Sequence, residues 1–544
     1  ATTNTKGGFH SEGMQRLLAY AVQGRGVGPV SDSTVEAINN LQARRWQINT
    51  GVLDVVQQAA GLFDFGDVVS PIRTEKPTWT DGDSEEEKAA YRKAAREWYT
   101  ERALRAAKHL RQTKAIREGQ ELRNEPAIWF AYYADFRGRL YARASGVSPQ
   151  GTDLEKGLIR FAQGKYLSEE GKPWFLIHGA NKFGVDKVSY EDRIKWVREY
   201  HQAIMTCAAD PINMRWWTEA DCPVQFLAWA LEYREWNTDP LTFLTHLPVS
   251  LDGTCNGLQN FSALLRDDVG GRAVNLLPGH KPNDIYGQVA QKATHILNTM
   301  PPGKFRDAWL AHGLNRRVTK RPTMTLPYGC TRFACSEFIV SDYLEKVLPE
   351  QIERADFGDA GNFLSHVVWQ AIGETVIKAR EAMDWLKGWA KFCLKTDQPV
   401  RWTTPNGLEV KSQYSSFRPV EVKSVAFKSR ALLYRGDPDK VDPIKVVNAV
   451  APNFIHSMDA CHLARVVNRA TREGMDIAAI HDDFGVHASD TPAFVRIIRE
   501  EFVRLYEESN PLQAMADFAG YDVPPPKPGS LDLKQVLESP YFFG

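Results

Sequence analysis

An apolar run that ends in an aspartate lies near the middle of the chain: Thr245-His-Leu-Pro-Val-Ser-Leu-Asp252-Gly-Thr-Cys-Asn-Gly257, followed by Leu258-Gln-Asn-Phe-Ser-Ala-Leu-Leu265. The apolar residues predict a β-strand, and the residues after Gly257 predict a helix. Asp252 would then lie at the carboxyl end of a strand, beside exposed backbone oxygens, where a hard cation could bind. The alternative is a simple turn, which is the usual role of an Asp-Gly pair.

A second candidate lies near the carboxyl end, at Ile477-Ala-Ala-Ile480-His-Asp482-Asp483-Phe-Gly-Val-His487. Two short apolar strands flank a polar turn, which predicts a hairpin that presents His481 and Asp482. Adjacent aspartates in a turn are commonplace, and nothing local pairs Asp482 with Asp252. If the fold brings them together, the two carboxylates could hold two Mg²⁺ about 3.5–4 Å apart, as in-line nucleotidyl transfer requires.

A third candidate is the basic segment Arg316-Arg-Val-Thr-Lys320-Arg-Pro-Thr-Met324-Thr-Leu-Pro-Tyr328-Gly329. At about 100° per residue, positions 316, 320, 324 and 328 fall on one face of a helix. Cations at positions i and i+4 repel each other unless an anion lies between them, and a triphosphate is a natural anion. The alternative is a solvent-facing basic helix with Met324 and Tyr328 in a core. Pro322 and Pro327 weaken the helix prediction, because each removes a backbone donor.

The composition is that of an ordinary globular protein. The chain has 544 residues, 43% hydrophobic and 25% charged, which excludes disordered and fibrous classes. No apolar run approaches the roughly 18 residues of a membrane span, and the first residues do not resemble a signal peptide. Seven sparse cysteines without a CxxC pair predict reduced thiols rather than a zinc site. Basic and acidic residues balance at 67 each, so the net charge identifies no partner.

A long helix is predicted in the first quarter of the chain. Ser84-Glu-Glu-Glu87 is typical of a capping box, and the segment from there to Glu121 predicts one or two long helices. Its basic residues outnumber its acids; they are Arg92, Lys93, Arg96, Arg102, Arg105, Lys108, Arg111, Lys114 and Arg117. A solvated helix face and a clamp that follows phosphates both fit this pattern.

Together these segments resemble the single-subunit DNA-dependent RNA polymerases of phages and mitochondria, most closely the phage branch. The resemblance covers nearly the whole chain, from about Val35 to Gly544. It rests on long stretches in the order of the family: Asp135-Phe-Arg-Gly-Arg139-Leu-Tyr141-Ala, Asp252 to Ser262, Gly271-Arg-Ala-Val-Asn-Leu-Leu-Pro, Arg316 to Gly329, Ala451-Pro-Asn-Phe-Ile-His456-Ser-Met-Asp, Ile480-His-Asp482-Asp-Phe-Gly and the end Tyr541-Phe-Phe-Gly544.

The resemblance implies an α+β right-hand polymerase with thumb, palm and fingers, mainly helical with a small antiparallel palm sheet. The implied divisions are a residual amino-terminal segment or linker (1–32), the thumb (33–125), the first part of the palm (126–268), the fingers (269–456) with a hairpin like the family's promoter-reading hairpin (422–447), and the second part of the palm with the carboxyl-terminal foot (457–544). The basic thumb helices would then clamp the template–RNA duplex.

The implied activity is that of a DNA-directed RNA polymerase, which transfers nucleotides from NTPs to the RNA 3′-hydroxyl and releases pyrophosphate by a two-metal mechanism. The cofactor would be two Mg²⁺ ions, held by Asp252, the Gly253 carbonyl and Asp482. Lys320 and Arg316 match the residues that grip the triphosphate, and Lys320 also suits a proton donor to pyrophosphate. The remaining nucleotide-site positions are Lys187, Tyr286, Arg139 and Tyr141, with Tyr328 and His456 selecting the sugar.

The chain also departs from the family pattern. Family members normally carry a few hundred residues before the thumb, used for promoter contacts and DNA melting, so we expect a separate amino-terminal domain or accessory factor. The promoter hairpin looks short, with a turn at Gly436-Asp-Pro-Asp439, and Lys428, Arg430 and Arg435 could reach base edges. The expected partners are double-stranded DNA, nascent RNA and NTPs, with no membrane. We expect a phage-encoded monomer that transcribes phage genes in the cytoplasm of an infected bacterium.

Three other functions stay open at this point: a DNA polymerase of the related hand-shaped class, a non-catalytic DNA-binding remnant and a two-metal nuclease. Tyr328 and His456 favour RNA synthesis, because a site built to bind the ribose 2′-hydroxyl disfavours sugars that lack it. The presence of Asp252, Lys320 and Asp482 argues against a remnant. A nuclease would carry denser acidic clusters.

Overall fold

The computed structural model describes residues 30–70, 75–79, 84–144, 146–424 and 429–544. In chain order its strands are β1 (Trp46–Ile48), β2 (Ala131–Ala134), β3 (Leu140–Arg143), β4 (Ile159–Phe161), β5 (Lys165–Tyr166), β6 (Leu244–Thr245), β7 (Val249–Asp252), β8 (Arg401–Thr403), β9 (Glu409–Lys411), β10 (Ser415–Ser424), β11 (Ser429–Val441), β12 (Ala478–Ile480) and β13 (Asp483–Val486).

The α-helices of the described residues are α1 (Asp32–Gln42), α2 (Thr50–Ala59), α3 (Glu85–Glu121), α4 (Asp153–Gly157), α5 (Gly171–Phe183), α6 (Tyr190–Glu199), α7 (His201–Ala209), α8 (Pro223–Thr238), α9 (Asn256–Leu264), α10 (Asp268–Ala273), α11 (Ile285–Thr299), α12 (Lys304–His312), α13 (Arg316–Thr325), α14 (Arg332–Phe338), α15 (Glu345–Val347), α16 (Phe357–Thr375), α17 (Ile377–Lys395), α18 (Pro443–Arg472), α19 (Thr491–Glu507) and α20 (Pro511–Ala519). Helices dominate and the sheets are short and antiparallel, so the predicted α+β class with a small palm sheet is confirmed.

A three-stranded antiparallel sheet in the order β12-β13-β7 brings together two segments that lie far apart in the sequence. Asp483 pairs opposite Asp252, and Phe484 pairs opposite Leu251. Leu251 and Phe484 are buried, which anchors the sheet in the core. His481 and Asp482 form the turn between β12 and β13, and His481 adopts a φ of 59° there. The predicted strand and the predicted hairpin are therefore both confirmed.

Helix α18 runs through the centre of the molecule and packs against α1, α9, α17 and α19. Most of its side chains are buried, and Pro452 lies inside it. The predicted boundary between fingers and palm, at 456/457, therefore falls within one continuous helix.

Helix α13 forms despite its proline. The Asn315 side chain accepts a hydrogen bond from Arg317 N and so caps the first turn. Pro322 lies on the buried face, and a 3₁₀ turn at Leu326–Tyr328 extends the segment. The Thr319 hydroxyl donates to the Tyr286 carbonyl at 2.7 Å and ties α13 to α11. The predicted basic helix is confirmed.

Helix α3 is 37 residues long and begins with the predicted capping box, in which Ser84 and Glu87 bond each other's backbone. Most of its side chains are exposed. Four of its predicted basic residues are engaged in ion pairs, Arg105 with Asp64, Lys108 with Asp67, Arg111 with Glu155 and Arg117 with Glu121.

The hairpin that was expected at 422–447 has different bounds. Its arms are β10 and β11, closed by the pair Ser424 and Ser429, so Gly436–Asp439 does not form the hairpin turn, and α18 begins at Pro443. Ser416 pairs with Asp437 and Ser415 with Val441, so 438–440 bulge out of the ladder. Pro438 cannot donate a backbone hydrogen bond, which explains why the turn-like residues produce a bulge instead.

All seven cysteines are free thiols. Within the described ranges, no helix is long and apolar enough to cross a membrane.

Candidate active site

A cleft with a volume of about 450 Å³ opens between the palm sheet and α13. It brings together nine of the residues predicted for the site: Arg139, Lys187, Asp252, Gly253, Tyr286, Arg316, Lys320, Tyr328 and Asp482. Positions 316, 320, 324 and 328 all line it, so the predicted helix face is the face that lines the cleft.

The acidic wall of the cleft is built on the palm sheet. Gly253 N donates to the Asp482 carbonyl at 3.1 Å, which holds the end of β7 against the hairpin turn. Enclosure within the protein and the neighbouring charges of Asp482 and Asp483 raise the pKa of Asp252 well above its ordinary range. Enclosure and the charge of Asp459 likewise raise the pKa of Asp482. Two carboxylates that resist ionisation together form a site that favours a cation.

The donor set of this wall suits a hard divalent ion. Carboxylate and carbonyl oxygens are the ligands that Mg²⁺ prefers, and Asp252, Asp482 and the Gly253 carbonyl supply them. In the described part of the chain, no group of three or more His, Cys, Asp or Glu side chains is arranged to hold a metal. A metal here would therefore keep part of its shell for water or substrate oxygens.

The opposite wall is basic. The Nε atom of Arg316 lies 3.0 Å from the Asp284 carboxylate, and its guanidinium lies over the Tyr286 ring, 5.3 Å from the centroid. Lys320, one turn further along, is exposed and has no ion-pair partner among the described residues. Arg316 is therefore held in position, while Lys320 is available to bind an anion.

Tyr328 closes the cleft at the end of this helix face. Its ring stacks on the His456 ring, with centroids 4.7 Å apart and planes inclined by 31°. Gly257 allows this arrangement, because a Cβ atom there would lie 2.8 Å from Pro327. Burial raises the pKa of Tyr328, and burial together with Arg139 and Arg137 lowers the pKa of His456 far below its ordinary value. Both side chains are thus neutral.

Arg139 reaches the cleft from the turn after β2. Its guanidinium lies 2.6 Å from the Asp459 carboxylate, which is 2% exposed. Asp459 also accepts a hydrogen bond of 2.6 Å from the buried Asn256 side chain. The ion pair fixes Arg139 beside the acidic wall.

Of the remaining predicted residues, Lys187 lines the cleft, whereas His456 and Tyr141 do not. His456 lies behind Tyr328, and Tyr141 packs edge-on against His481 at 5.0 Å instead of lining the cleft. Lys187 lines the cleft, and its Nζ atom lies 2.5 Å from Asp186. Lys428 lies outside the described residues, and for Arg430 and Arg435 only the backbone, in β11, is described.

Three residues that hold predicted site residues in place were not predicted: Asp284, Asp459 and Arg137. Asp284 holds Arg316, Asp459 holds Arg139, and Arg137 bonds His456. Asp459 follows His456 by three positions on α18, a spacing that puts the two on neighbouring parts of one helix surface. For Asp284 and Arg137 the sequence carries no local signal of the partner.

In this cleft, carboxylates on a short antiparallel sheet face a basic, tyrosine-capped helix, an arrangement that suits the binding of a nucleotide with divalent ions. Residues 165–523 match the family described as DNA-dependent RNA polymerase. The chain is 34% identical to the DNA-directed RNA polymerase of Enterobacteria phage T3, over 99% of this chain and 68% of that protein. It is also 34% identical to T7 RNA polymerase of Escherichia phage T7, over 93% of this chain and 64% of that protein.

The chain is also similar to RNA polymerases of plant organelles. The chain is 34% identical to DNA-directed RNA polymerase 2B, chloroplastic/mitochondrial, of Nicotiana tabacum, over 93% of this chain and 51% of that protein. The chain belongs to the phage-type DNA-dependent RNA polymerase family, and it spans about two thirds or less of the length of these relatives. A solved structure, the POL domain of Pol1 from M. smegmatis with DNA primer-template and dNTP, is 11% identical with a TM-score of 0.40, over 87% of this chain and 66% of that chain. A likeness that remote carries no functional information.

Proposed function

We propose that this chain synthesises RNA on a DNA template, transferring nucleotides from NTPs to the RNA 3′-hydroxyl and releasing pyrophosphate. The observation that carries the proposal is the register of β7 and β13, which sets Asp252 beside the Asp482 turn, across one cleft from Arg316 and Lys320 on α13. A cleft with carboxylates on one side and cations on the other accommodates a nucleoside triphosphate together with divalent ions.

The basic wall binds the triphosphate in this proposal. Asp284 keeps the Arg316 guanidinium facing the cleft. The ammonium of Lys320, which has no ion-pair partner in the part of the chain that the structure describes, contacts the outer phosphates. Lys320 then holds the proton that the departing pyrophosphate takes up, because a lysine beside a developing phosphate charge is a suitable general acid.

Asp252, Asp482 and the Gly253 carbonyl are proposed to hold two Mg²⁺ ions. When bound, such ions lower the pKa of the 3′-hydroxyl and neutralise charge on the phosphates. The chain's own contribution is to keep both carboxylates close enough to share the ions, which the backbone bond from Gly253 to Asp482 supports.

Tyr328 and His456 are proposed to select ribose. Their stacked rings lie at the end of α13, and each carries a polar atom, the Tyr328 hydroxyl and a ring nitrogen of His456. A sugar that lacks the 2′-hydroxyl would leave a polar group there without a partner, which disfavours dNTPs.

The proposed partners are a double-stranded DNA template, nascent RNA and NTPs, bound by a monomer. Helix α3, in the proposed thumb, carries exposed basic residues that suit contacts with duplex phosphates. The hairpin of β10 and β11 is the proposed promoter-reading element of the fingers. We further propose that the protein is encoded by a phage and acts in the cytoplasm of the infected bacterium.

The test is primer extension on an RNA primer annealed to DNA, with ATP and dATP in competition and Mg²⁺ present. We expect the primer to grow by one nucleotide, with a clear preference for ATP. A preference for dATP would identify a DNA polymerase, shortening of the primer would identify a nuclease, and no turnover would leave only a binding protein. Each of these three outcomes overturns the proposal.

A further inference from the structure

A chain of polar contacts leads from the β2–β3 turn to the ring that stacks on Tyr328. Arg137 donates to the Asp135 carboxylate through Nε at 2.9 Å and through Nη2 at 2.6 Å. Its remaining terminal nitrogen, Nη1, lies 2.6 Å from His456 Nδ1. The two residues come from elements 319 positions apart in sequence, so the fold alone brings them together.

The turn that carries Arg137 is tightly fixed. Asp135 accepts hydrogen bonds from the backbone nitrogens of Arg137 and Arg139, at 2.9 and 3.1 Å. Gly138 has a φ of 94°, and a Cβ atom there would lie 2.8 Å from Leu408, so the turn fits closely against its surroundings. With two of its nitrogens bound by Asp135, the guanidinium has one orientation, and that orientation directs Nη1 at His456.

A guanidinium carries only donors, so His456 Nδ1 must accept. A neutral imidazole that accepts through Nδ1 carries its proton on Nε2. Among the described residues, no hydrogen bond occupies His456 Nε2. The ring therefore has one free donor, on the side away from Arg137.

We propose that Arg137 is a positioning residue that fixes the tautomer of His456, so that Nε2–H is the donor offered to the ribose 2′-hydroxyl. The inference rests on the proposed function, since it explains how one residue of the sugar-selecting pair is prepared. Without Arg137, the ring can carry its proton on either nitrogen and can rotate, and the donor is no longer fixed. Arg137 itself makes no contact with the substrate.

Tautomer control can be tested by ¹⁵N NMR of histidine-labelled protein without nucleotide, comparing wild type with Arg137→Met and assigning the His456 signals by difference with His456→Phe. We expect a pyridine-like Nδ1 and a protonated Nε2 in the wild type, and loss or mixing of this pattern in Arg137→Met. Arg137→Lys, which retains a donor, should restore it at least in part. A protonated Nδ1 in the wild type, or an unchanged pattern in Arg137→Met, would overturn the proposal.

A double-mutant cycle tests the consequence for ribose selection, measured as the ratio of ATP to dATP incorporation on a primed scaffold. Arg137→Met should lower this ratio about tenfold, the effect of losing one well-placed hydrogen bond. In a His456→Phe background, which keeps a ring against Tyr328, the same change should alter the ratio by less than about twofold. Arg143→Met, on the same hairpin, is the matched control and should leave the ratio unchanged.

The extension assay and the double-mutant cycle distinguish a failure of the proposed function from a failure of the inference about Arg137. If the wild type does not extend the primer with ATP, the proposed function is wrong, and the role of Arg137 in ribose selection falls with it. If the wild type extends but Arg137→Met lowers the ratio equally in both backgrounds, Arg137 acts independently of His456 and the inference is wrong. If His456→Phe alone leaves the ratio unchanged, His456 is not the ribose donor and the inference is also wrong.

Discussion

At the scale of single residues, Asp252 and Asp482 are held near each other by the backbone and not by attraction between their side chains. Enclosure and the charges of Asp482 and Asp483 raise the pKa of Asp252. Enclosure and the charge of Asp459 raise the pKa of Asp482. The hydrogen bonds of the sheet keep this unfavourable pair together. Two carboxylates held this close repel each other when both are charged, and a bound cation reduces that repulsion. Such pairs are therefore common at functional sites.

The side chain of Tyr328 gives the first prediction at this scale. Tyr328→Phe should keep the ring stack on His456 and a near-normal extension rate, while the preference for ATP over dATP falls, because only the hydroxyl is lost. The measurement is competitive incorporation on a primed scaffold. Tyr166→Phe, an exposed tyrosine on β5, is the control. An unchanged preference in Tyr328→Phe would show that sugar selection lies elsewhere.

At the scale of elements, local sequence patterns predicted β7, the β12–β13 hairpin and α13. The strands carry apolar runs next to turn residues, and α13 carries cations at helical spacing. The same patterns could not pair Asp459 with Arg139 or Arg137 with His456, since these contacts depend on how distant elements pack. The predicted bounds of the β10–β11 hairpin were wrong for a related reason. Gly436–Asp439 has the composition of a turn, but the long ladder of β10 and β11 absorbs it as a bulge.

Packing between α9 and the end of α13 gives a prediction about elements. Gly257→Ala would set a Cβ atom 2.8 Å from Pro327 and 3.3 Å from Tyr328, so the 3₁₀ turn must shift. We expect about 1–3 kcal/mol of lost stability and a larger loss of extension activity, because Tyr328 moves away from the nucleotide. Gly358→Ala on α16, whose Cβ would meet no atom within 4 Å, is the control for thermal melting and extension assays. Full activity in Gly257→Ala would contradict the importance of this contact.

At the scale of the whole molecule, the resemblance to phage-type polymerases predicted the meeting of Asp252 and Asp482, which no local pattern could supply. The proposed domain limits are less sharp than the resemblance suggests. Strand β1, in the proposed thumb, pairs with β4 in the proposed palm, and α18 spans the limit at 456/457. Because these elements cross the proposed limits, the proposed thumb, palm and fingers are more closely connected than separate domains are.

Burial of a carboxylate predicts how the stability of the whole chain depends on pH. Glu232 is 3% exposed and accepts from the Thr245 hydroxyl and from His246 N, yet burial raises its pKa to about 7 from 4.5. The folded state therefore keeps this proton longer than the unfolded state, and stability falls as the pH rises from 4.5 to about 7. The full loss is at most roughly 3 kcal/mol.

Glu232→Gln removes this titration. The variant should melt at a higher temperature than the wild type at about pH 8, and the difference should shrink as the pH falls toward about 5. Glu219→Gln, an exposed residue that does not contribute to the raised pKa of Glu232, provides the control. A difference that grows toward acidic pH would contradict a raised pKa for Glu232 in the folded state.

The most direct test of the proposed two-carboxylate site compares single-nucleotide extension and scaffold binding in the same samples of wild type, Asp252→Asn, Asp482→Asn and Asp483→Asn. We expect Asp252→Asn and Asp482→Asn each to lose extension by about a thousandfold or more. Scaffold affinity should stay nearly unchanged, because binding rests largely on phosphate contacts elsewhere. Asp483→Asn should keep most of its activity. Extension that survives in either of the first two variants, or that is lost only together with binding, would contradict a catalytic role for this pair of carboxylates.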